Sequence, residues 1–231
     1  MKKAGGRPFV RLNVAMTADG KLAPANRHFV PFTTKRDQTL MLELRAQADA
    51  VMSGARTVDL GEVSLGTGGE KYRKERLARG LKEQHIRVIV SGAGSIDPDA
   101  YIFTKRFSPI LILTTERAGK KIGTLKRLAD AVHVSKGDKL DLNDALRWLR
   151  KECGVKKLLC EGGGEINGGL FEAGVVDEIY LTIAPLILGG RSAPTPADGE
   201  GFTTLAKAQK LVLKKMERIG DELYTVFRVK R

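Results

Sequence analysis

The chain has 231 residues, 42% of them hydrophobic and 29% charged, with a net charge of +13. That is ample material for a single large α/β domain spanning 1–231, and no apolar run approaches the roughly 18–20 residues that cross a bilayer. Two cysteines, Cys153 and Cys160, make no disulfide framework, and His28, His85 and His133 are isolated, so no metal site is expected.

The basic balance favours anionic partners, either nucleic acid or small phosphorylated ligands. Its lysines and arginines are interleaved with acids, as in "EKYRKERLARGLKEQ" and "KKMERIGDE", and that dispersion argues against a nucleic-acid stripe. The start, "MKKAGGRPFV", is basic but has no signal-peptide apolar stretch, so a cytoplasmic protein is expected, with residues 1–7 flexible.

In chain order, "FVRLNVAMT" alternates Val10, Leu12, Val14 and Met16 against Arg11, Asn13 and Ala15, the period of a half-buried strand. "TTKRDQTLMLELRAQ" suits a helix with Thr34 as N-cap and Leu40, Leu44 and Ala48 on one face. "ADAVMSG" reads as a short strand, "GEKYRKERLARG" as a short exposed helix, and "RVIVSG" and "SPILILTT" as buried strands. "RAGKKIGTLKRLAD" predicts a helix and "AVHVS" a strand. "LDLNDALRWLRKECG" is the clearest helix, with Asp141 as cap, Ala145, Leu146 and Leu149 on one face and Gly154 as terminator. "VKKLLCEGGG" is a strand running into glycines, "EINGGLFEAG" a short helix and "DEIYLTIAP" a strand, and the carboxyl end forms a hairpin across "IGDE". Alternating strands and helices define an α/β class with a large mixed sheet.

In such sheets ligands bind where strand ends meet helix starts. Three loops qualify: "MTADGK", "SGARTV" and "EGGGEI". The last is neither Gly-x-Gly-x-x-Gly nor a Gly-Lys-Ser/Thr loop. Its triple glycine before a helix serves equally as a packing turn or as a phosphate cradle of backbone N–H groups. Glu161 ahead of it is either a ligand contact or a solvated acid. Asp19 and Lys21 stand either at a pocket mouth or merely in a turn. Ser53, Arg56 and Thr57 either meet phosphate oxygens or begin an ordinary helix. No nucleophile–base pair is evident, which favours chemistry carried by a cofactor.

Together "RLNVAMTADGKLA", "ELRAQADAVMSGARTV", "LLCEGGGEINGGLFEAGVVDEIYLTIAPLILGG" and "APTPADGEGF" resemble the reductase family of riboflavin biosynthesis. That family comprises the carboxy-terminal domain of the bacterial bifunctional deaminase–reductase and stand-alone archaeal and fungal proteins. The resemblance implies a dihydrofolate-reductase-like, three-layer α/β/α fold with a mostly parallel sheet and a C-terminal antiparallel hairpin. It further implies a homodimer, and NADPH-dependent reduction of the ribosylamino group of a pyrimidine 5′-phosphate; no deaminase domain is implied. Carried over by residue, Ala15, Thr57, Leu140, Gly162, Gly163, Gly164 and Glu165 contact the cofactor. Asp19, Arg45, Leu65 and Glu161 lie on the substrate side, with Arg45 toward the phosphate. Lys21 sits by the reacting end, where it or water supplies a proton.

Two positions depart from the family pattern: Gly61 replaces an expected aspartate, unless Asp59 substitutes, and Gly68 replaces a frequent arginine. They leave open the exact substrate, including another pterin- or pyrimidine-like compound, and a cofactor-binding protein without catalysis. The choice between NADPH and NADH also stays open.

Overall fold

The structure is a computed structural model and describes residues 6–27, 31–59 and 63–230. Gly61, His28 and residues 1–5 of the segment expected to be flexible lie outside the described residues.

The strands, in chain order, are β1 (Phe9–Thr17), β2 (Ala50–Gly54), β3 (Ile86–Val90), β4 (Ile110–Thr115), β5 (Ala131–Ser135), β6 (Lys157–Cys160), β7 (Glu178–Ala184), β8 (Leu211–Ile219) and β9 (Glu222–Val229). The α-helices are α1 (Lys35–Arg45), α2 (Ala55–Asp59), α3 (Glu70–Ala78), α4 (Tyr101–Thr104), α5 (Lys121–Leu128), α6 (Leu142–Lys151) and α7 (Gly164–Glu172). The fold is thus α/β with a mixed sheet of nine strands, as expected. Every strand and long helix read from the sequence is present; the short α2 and α4 had no periodic signal of their own.

The described residues cluster into two compact units, one built from 6–9 and 42–159, the other from 10–41 and 160–230. In the first the strands run β5-β4-β3-β2-β6, and β2 to β5 pair in parallel. All six residues of β4 are buried, as an apolar strand inside a parallel sheet requires. Helix α6 covers β5 with Ala145, Leu146 and Leu149, and its Trp148 ring meets His133 at 5.3 Å. Asp141 caps α6 as predicted, accepting from Asp144 N at 2.9 Å, and Gly154 follows at φ 70°.

This unit holds several cations the hydrophobic pattern hid. Arg76, on the helix expected to be exposed, is 1% exposed. Its Nη1 donates to the carbonyls of Arg45 (2.9 Å) and Ala48 (2.5 Å), and its Nε to that of Lys82 (2.9 Å). Arg87, inside β3, is fully buried, donates to the Ile102 and Ser108 carbonyls and lies 4.2 Å over the Phe107 ring. Burial lowers both guanidinium pKa values, that of Arg87 to about 10.

In the second unit the strands run β1-β7-β9-β8. β1 and β7 are parallel, while β7–β9 and β8–β9 are antiparallel. The predicted hairpin is there, turning through Gly220 at φ 62°. Thr34 stands at the start of α1, but its side chain does something other than the expected capping. Its hydroxyl and its amide both donate to the Glu222 carboxylate, at 2.7 and 2.8 Å. The Asp37 carboxylate accepts from the hydroxyls of Thr33 and Thr182. The start of α1 is therefore tied to β7 and β9 by the half-buried Asp37 and the buried Glu222 rather than closed on itself.

Candidate active site

The residues singled out from the sequence divide between the units. Ala15, Asp19, Lys21, Glu161 and Gly162 to Glu165 belong to the second, and Arg45, Thr57, Leu65 and Leu140 to the first.

In the second unit β1 ends in a turn closed by Gly20 N to Thr17 O at 2.9 Å, with Gly20 at φ 77°. Asp19 is fully engaged there. Its Oδ1 accepts from the Thr17 hydroxyl (2.5 Å) and Leu188 N (3.2 Å), and its Oδ2 from Gly189 N (2.6 Å). These donors, the Thr17 hydroxyl foremost, hold its carboxyl at about 2. Asp19 thus ties the β1 turn to the 186–190 segment and presents its neighbour Lys21. Among the described residues the Lys21 ammonium has no hydrogen-bond or ion-pair partner.

The glycines after β6 have distinct reasons to be glycine. Gly162 (φ 91°) and Gly163 (φ 66°, ψ 146°) occupy backbone that side chains oppose, and Gly163 lies in a region almost reserved for glycine. A Cβ on Gly163 would meet nothing within 4 Å, so its exterior is open. Gly164 differs: its Cβ would lie 2.2 Å from Asp198 Oδ2 and 2.4 Å from the Thr195 carbonyl oxygen. Its side-chain direction is taken by the 195–198 segment. The Gly162 amide donates to the Cys160 sulfur, whose thiol burial pushes up to about 12. The amides of Gly163 and Gly164 have no acceptor among the described residues. Two uncommitted donors at the positive end of a nine-residue helix suit a diphosphate. Glu165 stands exposed in the first turn of α7, and Glu161 is half-buried at the strand end.

In the first unit Leu65 is 2% exposed and left-handed, at φ 50°. The carbonyls around it are held by side chains: Leu65 O by His85 Nε2 at 2.7 Å and Gly66 O by Arg45 Nη1 at 2.6 Å. Burial, reinforced by Arg45, Arg76 and Arg87, depresses the His85 pKa to about 3. The imidazole is therefore neutral near pH 7; Nε2 carries its proton, and Nδ1 accepts from the Thr67 hydroxyl at 3.1 Å. Gly68 is left-handed (φ 94°), and a Cβ there would come within 2.9 Å of Leu42. The arginine of the bacterial pattern has no place on this backbone. Asp59 accepts from Asp97 N at 3.1 Å beside a pocket of about 380 Å³ that Ser95, Asp97 and Lys121 also line. Thr57 is exposed on α2, Leu140 half-buried before α6, and the buried Ser53 Oγ has no partner among the described residues. An orphaned hydroxyl at a strand end also suits a polar cofactor.

The 195–198 segment was quoted within "APTPADGEGF" but given no role at the site, and the side-chain staples of the 64–68 loop were not seen. The first had one usable sign, Gly164 and Gly168 four apart on a single helix face.

A strand-end glycine loop feeding a helix, on an α/β mixed sheet, sits where such folds bind ligands. A family model for the RibD C-terminal domain matches residues 8–225. The chain belongs to that family, which places it among the reductases of riboflavin biosynthesis, an oxidoreductase group. It is 30% identical over 225 residues to the 2,5-diamino-6-ribosylamino-4(3H)-pyrimidinone 5′-phosphate reductase of Archaeoglobus fulgidus, covering 97% of this chain and 100% of the relative. The protein of the same description from Methanothermobacter thermautotrophicus is 31% identical over 224 residues, covering 97% and 99%. A pyrimidine reductase-like protein from Corynebacterium diphtheriae superimposes with a TM-score of 0.80 at 22% identity, over 97% of this chain and 92% of that one. The dihydrofolate-reductase-like fold class implied by the resemblance is the one the chain has.

Proposed function

We propose that the protein is an NADPH-dependent reductase that converts the ribosylamino group of a pyrimidine 5′-phosphate to a ribitylamino group. The observation that carries this is the full-length match to relatives named for such a reductase. The free amides at Gly163 and Gly164 support a cofactor diphosphate at the start of α7. NADPH supplies the hydride for the reduction. The chain's own part is positioning, which accounts for much of the rate in such transfers. In the second unit Gly162 to Glu165 and Ala15 are the cofactor residues and Glu161 the substrate residue; in the first the resemblance assigns Thr57 and Leu140 to the cofactor and Arg45 and Leu65 to the substrate. The Lys21 ammonium, presented by the Asp19 turn, holds the proton for the substrate nitrogen. With this reading go a reductase domain in residues 8–225 and a cytoplasmic location. No helix among the described residues is long and apolar enough to cross a membrane.

The second unit exposes Ile187, Leu205, Leu211, Leu213 and Met216, a set of apolar side chains that supports the homodimer. Buried Arg76 and Arg87 withdraw positive charge from the surface, which weakens any nucleic-acid reading.

The test follows absorbance of the reduced nicotinamide when purified protein meets the pyrimidine phosphate with NADPH or NADH. Substrate-dependent oxidation, faster with NADPH, is expected. Absence of oxidation with either cofactor, despite cofactor binding, would overturn the reading in favour of another substrate or a non-catalytic binder.

A further inference from the structure

We propose that the segment Thr195–Asp198 is a strap that sets the conformation of the glycine loop, with Asp198 and Thr195 as positioning residues for cofactor binding. The inference rests on the reading that Gly162–Glu165 holds a diphosphate.

The strap's own shape comes from Asp198. Its Oδ1 accepts from the Thr195 amide (3.0 Å) and hydroxyl (2.6 Å), closing a tight turn. The Asp198 amide then donates to the Gly164 carbonyl at 2.9 Å. From the helix side, the fully buried Asn167 donates through Nδ2 to the Pro196 carbonyl at 2.9 Å. Asn167 Oδ1 in turn faces the Cys160 sulfur at 3.6 Å, at the end of β6. Strand end, helix start and strap are thereby joined through one side chain.

The contact is also too close for any residue but glycine. A Cβ on Gly168 would stand 1.7 Å from the Asp198 carbonyl oxygen, and Gly164 has no more room. Beyond Asp198 the chain continues along α7 until Gly201 N donates to Glu172 Oε1 at 3.1 Å, at the helix's last residue. Ahead of it, the Pro194 carbonyl accepts from Leu22 N at 2.8 Å, next to Lys21. Pro194 and Pro196 restrict the backbone of the segment between these ties. A single stiff segment thus joins the turn that presents Lys21 to the helix start that offers the Gly163 and Gly164 amides. Donors of this kind bind a diphosphate well only when held within a fraction of an ångström.

The test measures NADPH affinity by titration of its fluorescence, separately from turnover. Asp198→Ala and Thr195→Val are each expected to weaken NADPH binding about tenfold. The KM for the pyrimidine phosphate at saturating cofactor should stay within about threefold. Asp198→Asn, which keeps an oxygen for Thr195, should restore affinity to within about threefold of wild type. Because Gly168→Ala forces the strap away and risks misfolding, it serves only as a second variant, scored if its circular dichroism is native; it too should lose cofactor affinity. Unchanged NADPH affinity in Asp198→Ala overturns the proposal. So does equal loss of affinity for both ligands, since that marks a general loss of structure. Wild-type protein that binds no NADPH at all overturns the functional reading, and the strap's role with it.

Discussion

Arg76→Met removes a guanidinium from a fully enclosed site while leaving most of its aliphatic volume in place, so the cavity contribution is small. What is lost is three charge-assisted hydrogen bonds, to the carbonyls of Arg45, Ala48 and Lys82. Arg45 is the last residue of α1, so the cation also sits against the negative end of that helix. Opposing these is the cost of dehydrating the cation, seen in its lowered pKa. Leaving buried carbonyls short of a donor costs about 1–3 kcal/mol each, and with the dehydration of the cation offsetting part of that sum the net loss is about 3–5 kcal/mol. For a chain of this length that is a melting-temperature loss of about 6–20 °C. The assay is urea unfolding followed by tryptophan fluorescence. Trp148 is the chain's single tryptophan and lies in the same compact unit as Arg76, so the signal reports the right part of the molecule. Arg76→Lys, with a single ammonium in place of the fork, should fall between the two. A Met variant within about 1 kcal/mol of wild type would refute the reasoning, because the three carbonyls would then lose nothing with the guanidinium.

Three further outcomes are expected. Gly123→Ala, on the exposed face of α5 with only Arg127 Nη1 at 4.0 Å from the new Cβ, should stabilise the protein by about 0.5–1 kcal/mol in the same urea titration. Asp19, with a folded pKa of about 2 against an ordinary 3.8, contributes stability that is present above that ordinary value and lost as pH falls through 2. The melting-temperature gap between wild type and Asp19→Asn should accordingly be flat from neutral pH down to about 4 and close below it; a gap insensitive to acid would contradict the three-donor clamp. Replacing exposed Leu213 and Met216 together with lysine should convert the proposed dimer to monomer in light scattering after size exclusion, leaving circular dichroism unchanged.

The parts of the fold that could be read from sequence are those encoded by near neighbours. β1 shows its alternation within nine residues, α6 shows its cap and apolar face within twelve, and the hairpin has its turn between its strands. What escaped is carried by long polar side chains reaching distant carbonyls. Arg76 meets Arg45 across 31 positions, and Thr34 meets Glu222 across 188. A periodicity count scores such an arginine as surface, since it cannot see the partner that makes burial tolerable. The triple glycine shows both cases at once. That it turns a strand into a helix was legible, but two of its members serve backbone conformation while the third makes room for a strap some thirty positions later, and only the fold separates them. Of the site, the β1 turn and the glycine loop were found together in one unit, whereas the staples around Leu65 had no local sign.

The second unit draws on both ends of the chain, residues 10–41 and 160–230. On a ribosome, β1 therefore emerges long before β7, whose Glu178 pairs with Arg11. At about 5–20 residues per second, that wait lasts roughly 10–30 s. Throughout it Val10, Leu12 and Val14 lack β7, while much of the first unit already has the residues it needs. The nascent chain therefore carries an apolar strand whose β7 partner arrives only with the last seventy residues.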